Sequence, residues 1–301
     1  MIDSNLGIAL ALSAWILWST TPFFFTSTGR RIGAFATNLT RLLLASLLLI
    51  LLCAVMFLIS PSTAFPSASA WILLGASGSL GLGLGDNYLY KSLAEAGPER
   101  TSLLMTLSPA MTVTLAWIFL REILSPIQLG AMLLILGGVV AACWPKKFSG
   151  GSAHRWSHSW SGIIAALCQS IGTIFARQAF VGSANLSPVY ATTVRVGSGM
   201  LFLLIFALAT RKLWPSIQKA RQPGMPLRIL GGTLTGPVVG MLCYIGALKY
   251  QSAGIVTTIT FMTPLLIIPV ATWRYKARLT GRVLLGGVAA LAGVALLGWN
   301  P

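Results

Sequence analysis

The sequence predicts an all-α integral membrane protein in which ten transmembrane helices form two inverted five-helix repeats around a central cavity. Three observations support this fold class. Hydrophobic residues make up 55% of the 301 residues and charged residues only 9%, with a mean hydropathy of +0.82, so polar groups are too few to cover a water-soluble globule. Apolar runs of membrane-spanning length recur from end to end, and the two halves of the chain align with each other.

The apolar runs are the predicted spans. About 20 residues, at 1.5 Å per residue, cross the roughly 30 Å hydrocarbon core of a bilayer. The first run has no basic residue before it and no small-residue cleavage site after a short apolar region, so we expect it to remain as the first helix. The ten runs cover about 5–27, 35–59, 70–90, 101–120, 126–145, 160–181, 188–210, 228–250, 253–273 and 280–299.

The net charge of +16 is a topology signal and does not indicate a nucleic-acid partner, because the basic residues form no patch. They are concentrated in alternate links between the runs, whereas the opposite links contain only Arg121 and Lys249. Basic loops favour the cytoplasm, so both termini are predicted on the outer, periplasmic side of a cell inner membrane. The rich links hold Arg30, Arg31, Lys91, Arg100, Lys146, Lys147, Arg155, Arg211, Lys212, Lys219, Arg221, Arg228, Arg274, Lys276, Arg278 and Arg282.

An internal repeat appears when the sequence is shifted by 155 residues. The matched pairs are Gly7 with Gly162, Gly81 with Gly236, Gly85 with Gly240, Leu93 with Leu248, Pro109 with Pro264, Gly138 with Gly293 and Trp144 with Trp299. We predict a first repeat at 1–145, a cytoplasmic linker at 146–159 and a second repeat at 160–301. An odd number of spans inverts the second repeat, as in secondary transporters that work by alternating access. The alternative is a duplication that only builds a stable bundle.

A family resemblance follows from the segment AGPERTSLLMTLSPAMTVTLAWIFLREILSPIQLGAMLLILGGVV. It has a small-residue start, a late proline, a glutamate after the helix and then glutamine and glycines, at Ala96, Pro109, Glu122, Gln128, Gly130 and Gly138. This pattern resembles the end of an EamA-type repeat of the drug/metabolite transporter superfamily. The second copy has Ala277 in place of Glu122 but keeps Gly254, Pro264 and Gly293.

The resemblance implies a ten-helix bundle around a central cavity with no bound cofactor. It says little about the substrate, since members of the superfamily carry amino acids, nucleotide sugars, sugar phosphates and drugs. It covers essentially the whole chain.

In the first predicted helix, Trp15 and Trp18 lie one turn apart near the middle of the span. They are candidates to line the cavity and stack on an organic substrate, with bundle packing as the alternative. Pro22 should loosen the helix toward its inner end, and it is predicted to act in gating with Pro109 and Pro264.

Asp86 in the third predicted helix is the strongest candidate for function, because a charge in the hydrocarbon region is expensive, by ~2.5–3.5 kcal/mol. The structural alternative is a pair with Arg41 or Lys91. The run Gly83 to Asp86 also matches the GxGD motif of intramembrane aspartyl proteases, but such chemistry needs a second carboxylate. The other aspartate, Asp3, precedes the first helix and no glutamate lies in a span, so no catalytic residue is expected.

The glycines around Asp86 are explained by close helix contact. They are Gly81, Gly83 and Gly85, echoed by Gly236 and Gly240.

Three arginines fall inside spans: Arg41, Arg177 and Arg195. Together with Asp86 they leave an excess of buried positive charge, which a substrate carboxylate or phosphate would balance if the arginines face the cavity. The alternative is snorkelling to lipid phosphates, especially for Arg41 and Arg177. Arg195 is the preferred anion-binding residue.

Other polar groups would orient a substrate in a mostly apolar site. They are Asn38, Tyr88, Tyr90, Gln169 and Tyr244, and each has an interhelical hydrogen bond as its alternative role. Glu122, beside Arg121 at an outer helix end, is expected to form an interfacial ion pair or to be a structural position of the family, and not to be a substrate ligand. Two histidines, His154 and His158, lack further ligands, so no metal site is expected. The four cysteines lack CxxC spacing and are expected to be packing residues.

These features predict a monomeric secondary transporter that exports a small amphipathic metabolite with an anionic group, such as an amino acid. No GxxxxGK[ST] loop for ATP occurs, and Asp86 is the in-span carboxylate that could take up a coupling proton. Two alternatives remain open: a broad-specificity multidrug or cation exporter, and a membrane enzyme or scaffold without transport. Lipid bilayer and small-molecule substrate are the expected partners.

Overall fold

A computed structural model describes residues 2–59, 66–95, 101, 104–143, 159–183, 185–263, 265–266 and 281–299. All regular secondary structure in these ranges is helical. The helices are α1 (Ile2–Ile32), α2 (Ala34–Ile59), α3 (Ala68–Glu95), α4 (Leu107–Leu120), α5 (Pro126–Cys143), α6 (Ser159–Val181), α7 (Pro188–Ala209), α8 (Leu213–Ala220), α9 (Met225–Tyr250), α10 (Ala253–Thr260) and α11 (Gly281–Trp299).

The described chain contains 6 helices that are long and apolar enough to cross a membrane, which are α1, α2, α3, α6, α7 and α9. Shorter apolar helices occur at Leu107–Leu120, Pro126–Ala141 and Leu284–Leu297. The all-helical, multi-pass class is therefore confirmed. The predicted number of ten spans is not established, because the run at 253–273 continues beyond the described residues. The sequence did not predict α8, which lies in a predicted loop.

The packing between the two halves is reciprocal. The first helix of each half packs against the third helix of the other half, as α1 with α9 and α6 with α3. The second helices, α2 and α7, pack together, and so do α4 with α10 and α5 with α11. Such reciprocal contacts are those of a two-fold arrangement, so the structure fits two related repeats. The exact repeat boundaries remain a prediction, and most of the linker, at 146–158, lies outside the described residues.

Three helices of the described chain contain π-helical segments; one lies at the end of α4, over Ala116–Leu120, and the other two are equivalent under the repeat. In α3 the segment runs over Ser79–Gly85, and in α9 over Leu234–Val238. The amide of Asp86 donates to the carbonyl of Gly81 and the amide of Val239 donates to that of Leu234, five residues back in each case. The two segments begin 155 residues apart, at the position that the sequence repeat makes equivalent. Such π turns are frequently found at functional sites.

The prediction that glycines in α3 allow close helix contact is confirmed. A Cβ atom at Gly83 would lie 2.6 Å from the Phe202 ring, and one at Gly85 would lie 2.9 Å from the Cβ of Cys168. In α9, a Cβ atom at Gly240 would lie 2.5 Å from Nε1 of Trp18. A Cβ atom at Gly236 would lie 3.6 Å from Thr21, which is an ordinary van der Waals contact. These contacts bring α3 close to α6 and α7 and place α9 against α1.

Gly78 in α3 gives a direct test of this packing. Gly78→Ala is expected to lower the free energy of unfolding by about 1–3 kcal/mol, because the added methyl would overlap the carbonyl oxygen of Arg195. Gly75→Ala is the matched control in the same helix: no atom lies within 4 Å of its Cβ position, and alanine favours the helix by roughly 0.5–1 kcal/mol. Denaturant unfolding in detergent measures both, and equal effects would contradict the contact.

Candidate functional site

A cavity of about 200 Å³ lies between α1, α2, α3, α6, α9 and the region around α10. Most of its wall is apolar, with Phe25, Leu82, Leu89, Met105, Met241 and Phe261 among the lining residues. Threonine hydroxyls, such as that of Thr173, add polar points to this wall. A small molecule with an apolar body and a few polar groups suits such a lining.

The cavity extends from the middle of the bundle toward the end where basic residues gather. Phe25 is about one and a half turns from Arg30 and Arg31 in the last turn of α1, and Leu93 lies near the end of α3 beside the exposed Lys91. Arg41 lies in the first third of α2, which starts at that same end. We call this the basic end of the bundle.

Arg41 and Asp86 form a buried ion pair on the cavity wall. Their side chains are 6% and 7% exposed, and Nη2 of Arg41 donates to Oδ2 of Asp86. The second carboxylate oxygen of Asp86 accepts a hydrogen bond from Nε2 of Gln169 at 2.5 Å. Of the described residues that line the cavity, only these two carry a charge. The pairing with Arg41 that the sequence left open for Asp86 is therefore present.

Asn38 holds Arg41 from behind the cavity wall. Its Oδ1 accepts from Nε of Arg41 at 3.0 Å, and its Nδ2 donates at 3.0 Å to the carbonyl of Leu82 in the π segment of α3. Asn38 is fully buried and does not line the cavity. It therefore positions the guanidinium and satisfies a carbonyl of the π segment.

Two aromatic rings flank the Arg41 guanidinium. Its Cζ lies 5.1 Å from the ring centroid of Tyr90 and 5.8 Å from that of Phe25. The two rings meet edge to face, with centroids 5.8 Å apart and an interplanar angle of 75°. A cation over aromatic faces and beside a carboxylate is well stabilised when water is excluded.

Trp18 and Tyr244 form another part of the wall. Their ring centroids are 5.0 Å apart, and the Tyr244 hydroxyl lies 2.6 Å from Oγ1 of Thr173. Nε1 of Trp18 donates to the carbonyl of Gly236 at 3.3 Å. This side therefore offers rigid aromatic surface from both repeats.

Arg195 lies outside the cavity, against the prediction that it lines it. It is 1% exposed, and its Cζ lies 5.6 Å from the Tyr244 ring. Gly81 has no Cβ atom, and Nη2 of Arg195 lies 3.2 Å from the place that this atom would take. Oε1 of Gln169 lies 3.5 Å from the same place. Nε and Nη1 have no hydrogen-bond partner among the described residues. Arg195 therefore adds positive charge near Asp86 from behind the wall.

Arg177 also lies outside the cavity, because it pairs with Glu122 at the end of the bundle opposite the basic end. Its Nε donates to Oε1 of Glu122 at 2.7 Å, and its Nη1 donates to the carbonyl of Leu248 at 2.7 Å. Oε2 of Glu122 accepts from the amide of Ala253 at 3.0 Å. The arginine thus caps the end of α9 and the glutamate the start of α10, as helix dipoles favour.

The ion pair predicted for Glu122 is present, but its partner is Arg177 and not the adjacent Arg121. The neighbouring Arg121 ends α4 in a left-handed conformation, with φ 55°, and its side chain is exposed. No sequence signal indicated Arg177 as the partner, since it is 55 residues away along the chain.

The remaining candidates are spread around the site. Trp15 is buried in the core beside the cavity and does not line it, and Tyr88 packs near Met105 and Ala165. Pro109 is buried in α4. The side chain of Pro22 and all of Pro264, His154 and His158 lie outside the described residues. Six candidates line the cavity, namely Trp18, Arg41, Asp86, Tyr90, Gln169 and Tyr244.

The sequence also missed two contributors to the site. Three phenylalanines are consecutive in α1, at 23–25, and the sequence did not show that Phe25 is the one whose ring faces Arg41. Pro237 lines the cavity within a π segment that the sequence did not predict. The described residues contain no group of three possible metal ligands.

A comparison with known protein families also divides the chain into two parts. A family model for the EamA-like transporter family matches residues 5–143 and again residues 157–299. A solved structure titled "Crystal structure of protein" is similar to this chain with a TM-score of 0.71 and 18% identity, covering 96% of this chain and 95% of that chain. That likeness supports the fold alone. No curated protein gave a significant match.

Proposed function

The chain belongs to the EamA-like transporter family, and from this premise we propose that it is a secondary transporter that exports small amphipathic metabolites with an anionic group, such as amino acids. One observation carries the substrate class. The Arg41–Asp86 ion pair lies on the wall of an otherwise apolar cavity, so a substrate would meet polar recognition at one point and apolar surface elsewhere.

The size of the cavity favours a metabolite over a drug. Its volume of about 200 Å³ is below the roughly 300–1,000 Å³ of pockets that enclose drug-sized ligands. An observation also favours the second candidate, a cation exporter. Phe25, Tyr90 and Asp86 together have the chemistry of an organic-cation site. In this structure the Arg41 guanidinium occupies that place, which disfavours a free cation as the substrate.

Transport by alternating access would open the two ends of the bundle in turn. The cavity lies toward the basic end, and the Glu122–Arg177 pair joins α4, α6, α9 and α10 at the other end. We propose that substrate enters from the basic end and that its release on the far side requires this ion pair to separate.

A flux assay tests the proposed function. Purified protein in liposomes is expected to exchange labelled apolar amino acids, such as leucine, well above protein-free liposomes. Arg41→Gln should lower this flux roughly ten- to hundredfold, because a hydrogen bond to a charged group contributes about 1.5–3 kcal/mol. Arg121→Gln is the matched control at an exposed site and should leave the flux unchanged. Movement of lipophilic cations without amino acids would overturn the proposal.

A further inference from the structure

Three arginines meet at the basic end of the bundle, where α1 and α9 pack together. Nη1 of Arg228, near the start of α9, donates to Oγ of Ser27 in α1 at 2.9 Å. Arg30 and Arg31 follow Ser27 by three and four residues, so they are its neighbours on the surface of α1, one turn further along. The three arginines therefore lie within about one helical turn of a single hydroxyl group. We call Arg30, Arg31 and Arg228 the arginine cluster.

The arginine cluster carries positive charge that the described part of the protein does not balance. All three residues are exposed. No described carboxylate pairs with them, since the ion pairs in the described chain are Arg41–Asp86, Lys91–Glu95 and Arg177–Glu122. Like charges one turn apart repel each other, and an anion that contacts several guanidinium groups would relieve this repulsion.

Exposed apolar side chains continue from the arginine cluster along both helices. Phe23 lies one turn before Ser27 on α1, and exposed leucines lie on both sides of Arg228 in α9, at Leu227, Leu230 and Leu234. The helices contact each other through other faces, where a Cβ atom at Gly231 would lie 2.7 Å from the Phe24 ring. At about 100° of rotation per residue, the exposed side chains point away from this contact, toward the bilayer. The α1–α9 surface is therefore apolar next to a cationic end.

An anionic phospholipid has the chemistry that this surface lacks. Its phosphate group accepts paired hydrogen bonds from guanidinium groups. Its acyl chains lie directly beside the phosphate and require apolar surface at that place. A free phosphate ion would use the arginines alone and would leave the role of the apolar side chains unexplained. Clusters of basic residues beside membrane-spanning helices attract acidic lipids in the same way.

We propose that an anionic phospholipid binds where α1 and α9 meet, with its phosphate at the arginine cluster and its acyl chains on Phe23 and the three exposed leucines. The site lies on the outer surface of the bundle, away from the cavity and from Asp86. Its two sides come from different halves of the chain, so it is complete only where α1 and α9 are in contact. A bound lipid therefore stabilises the contact between the two halves at the basic end.

Short-chain lipids test the inference on the purified full-length protein in detergent. Dioctanoyl phosphatidylglycerol has a net negative charge, whereas dioctanoyl phosphatidylcholine has the same chains and a phosphate but no net charge. Inorganic phosphate is the probe without chains. Native mass spectrometry measures lipid binding, and the shift in thermal unfolding measures all three. Phosphatidylglycerol is expected to bind at least about tenfold more tightly than either of the other probes.

A triple variant makes the result specific to the arginine cluster. Each arginine replaced by glutamine should weaken phosphatidylglycerol binding roughly fivefold, so R30Q/R31Q/R228Q should lose the preference over phosphatidylcholine. The matched control is K91Q/K219Q/R221Q, which removes the same charge from exposed positions at the same end of the bundle. It should retain the preference and change the affinity by no more than about threefold, because separated surface charges are screened by salt.

The outcomes decide between a built lipid site and a diffuse charge effect. Equal binding of the two lipids by wild-type protein overturns the inference, and so does an equal loss in the triple variant and its control. Inorganic phosphate that binds as tightly as phosphatidylglycerol also overturns it and indicates a site for free anions. If the triple variant does not fold, Arg228→Gln alone should still weaken phosphatidylglycerol binding roughly fivefold, and an unchanged affinity would overturn the inference. None of these measurements depends on the proposed transport function.

Discussion

Asp86→Ala is expected to lower the free energy of unfolding by about 3–5 kcal/mol and to abolish transport. The substitution leaves the Arg41 guanidinium, in a side chain only 6% exposed, without its carboxylate, and an unpaired buried charge costs about this much. It also leaves the Nε2 group of Gln169 without its acceptor. Denaturant unfolding in detergent micelles measures the loss of stability, and the liposome assay measures transport.

A double variant separates the lost partner from the lost volume. Arg41→Met combined with Asp86→Leu removes both charges, and replacing a buried pair by apolar groups is often neutral or stabilising. We therefore expect it to recover most of the stability lost in Asp86→Ala while remaining inactive. A double variant as unstable as the single one would show that packing, and not charge, holds this part of the bundle.

Glu122→Ala is expected to produce the second large effect, a loss of about 1.5–3 kcal/mol in the free energy of unfolding. The substitution removes the partner of the Arg177 guanidinium and the acceptor of the Ala253 amide in one step. A double-mutant cycle with Arg177→Ala should give a coupling energy of about 0.5–3 kcal/mol, as for residues in contact. The measurement is again denaturant unfolding in detergent.

Arg121→Ala is the control for Glu122, since Arg121 is the adjacent residue and is exposed. We expect it to change stability by no more than about 0.5 kcal/mol. A loss equal to that of Glu122→Ala, with no coupling between Glu122 and Arg177, would mean that the glutamate acts through its sequence neighbour.

Much of the fold could be predicted because the bilayer imposes a simple rule on sequence. Long apolar runs must be helices, and an in-span charge is too costly to keep without a role. This reasoning selected Asp86 and named Arg41 as a possible partner, and the structure pairs them. The repeat could also be recognised from the sequence, because glycines recur at equivalent positions of the two halves where helices pack closely, as at Gly85 and Gly240.

The sequence could not predict the direction in which long side chains point. Arg195 and Arg177 were chosen for their depth in the membrane, but depth does not determine which side of a helix faces the cavity. Contacts between helices that are distant in sequence decide this. The absence of a side chain at Gly81 leaves room for Arg195 behind the cavity wall, and Arg177 pairs with Glu122 away from that wall. Hydropathy alone therefore could not predict how these helices are rotated about their axes.

The paired π segments bear on how such a cavity arises. A π turn closes its hydrogen bond over one residue more than an α turn, and one residue corresponds to about 100° of rotation. Asp86 in α3 and Met241 in α9 are equivalent under the repeat, both follow a π segment, and both line the cavity. One added residue in a single ancestral unit, copied by duplication, would have turned two helix faces toward the same space at once.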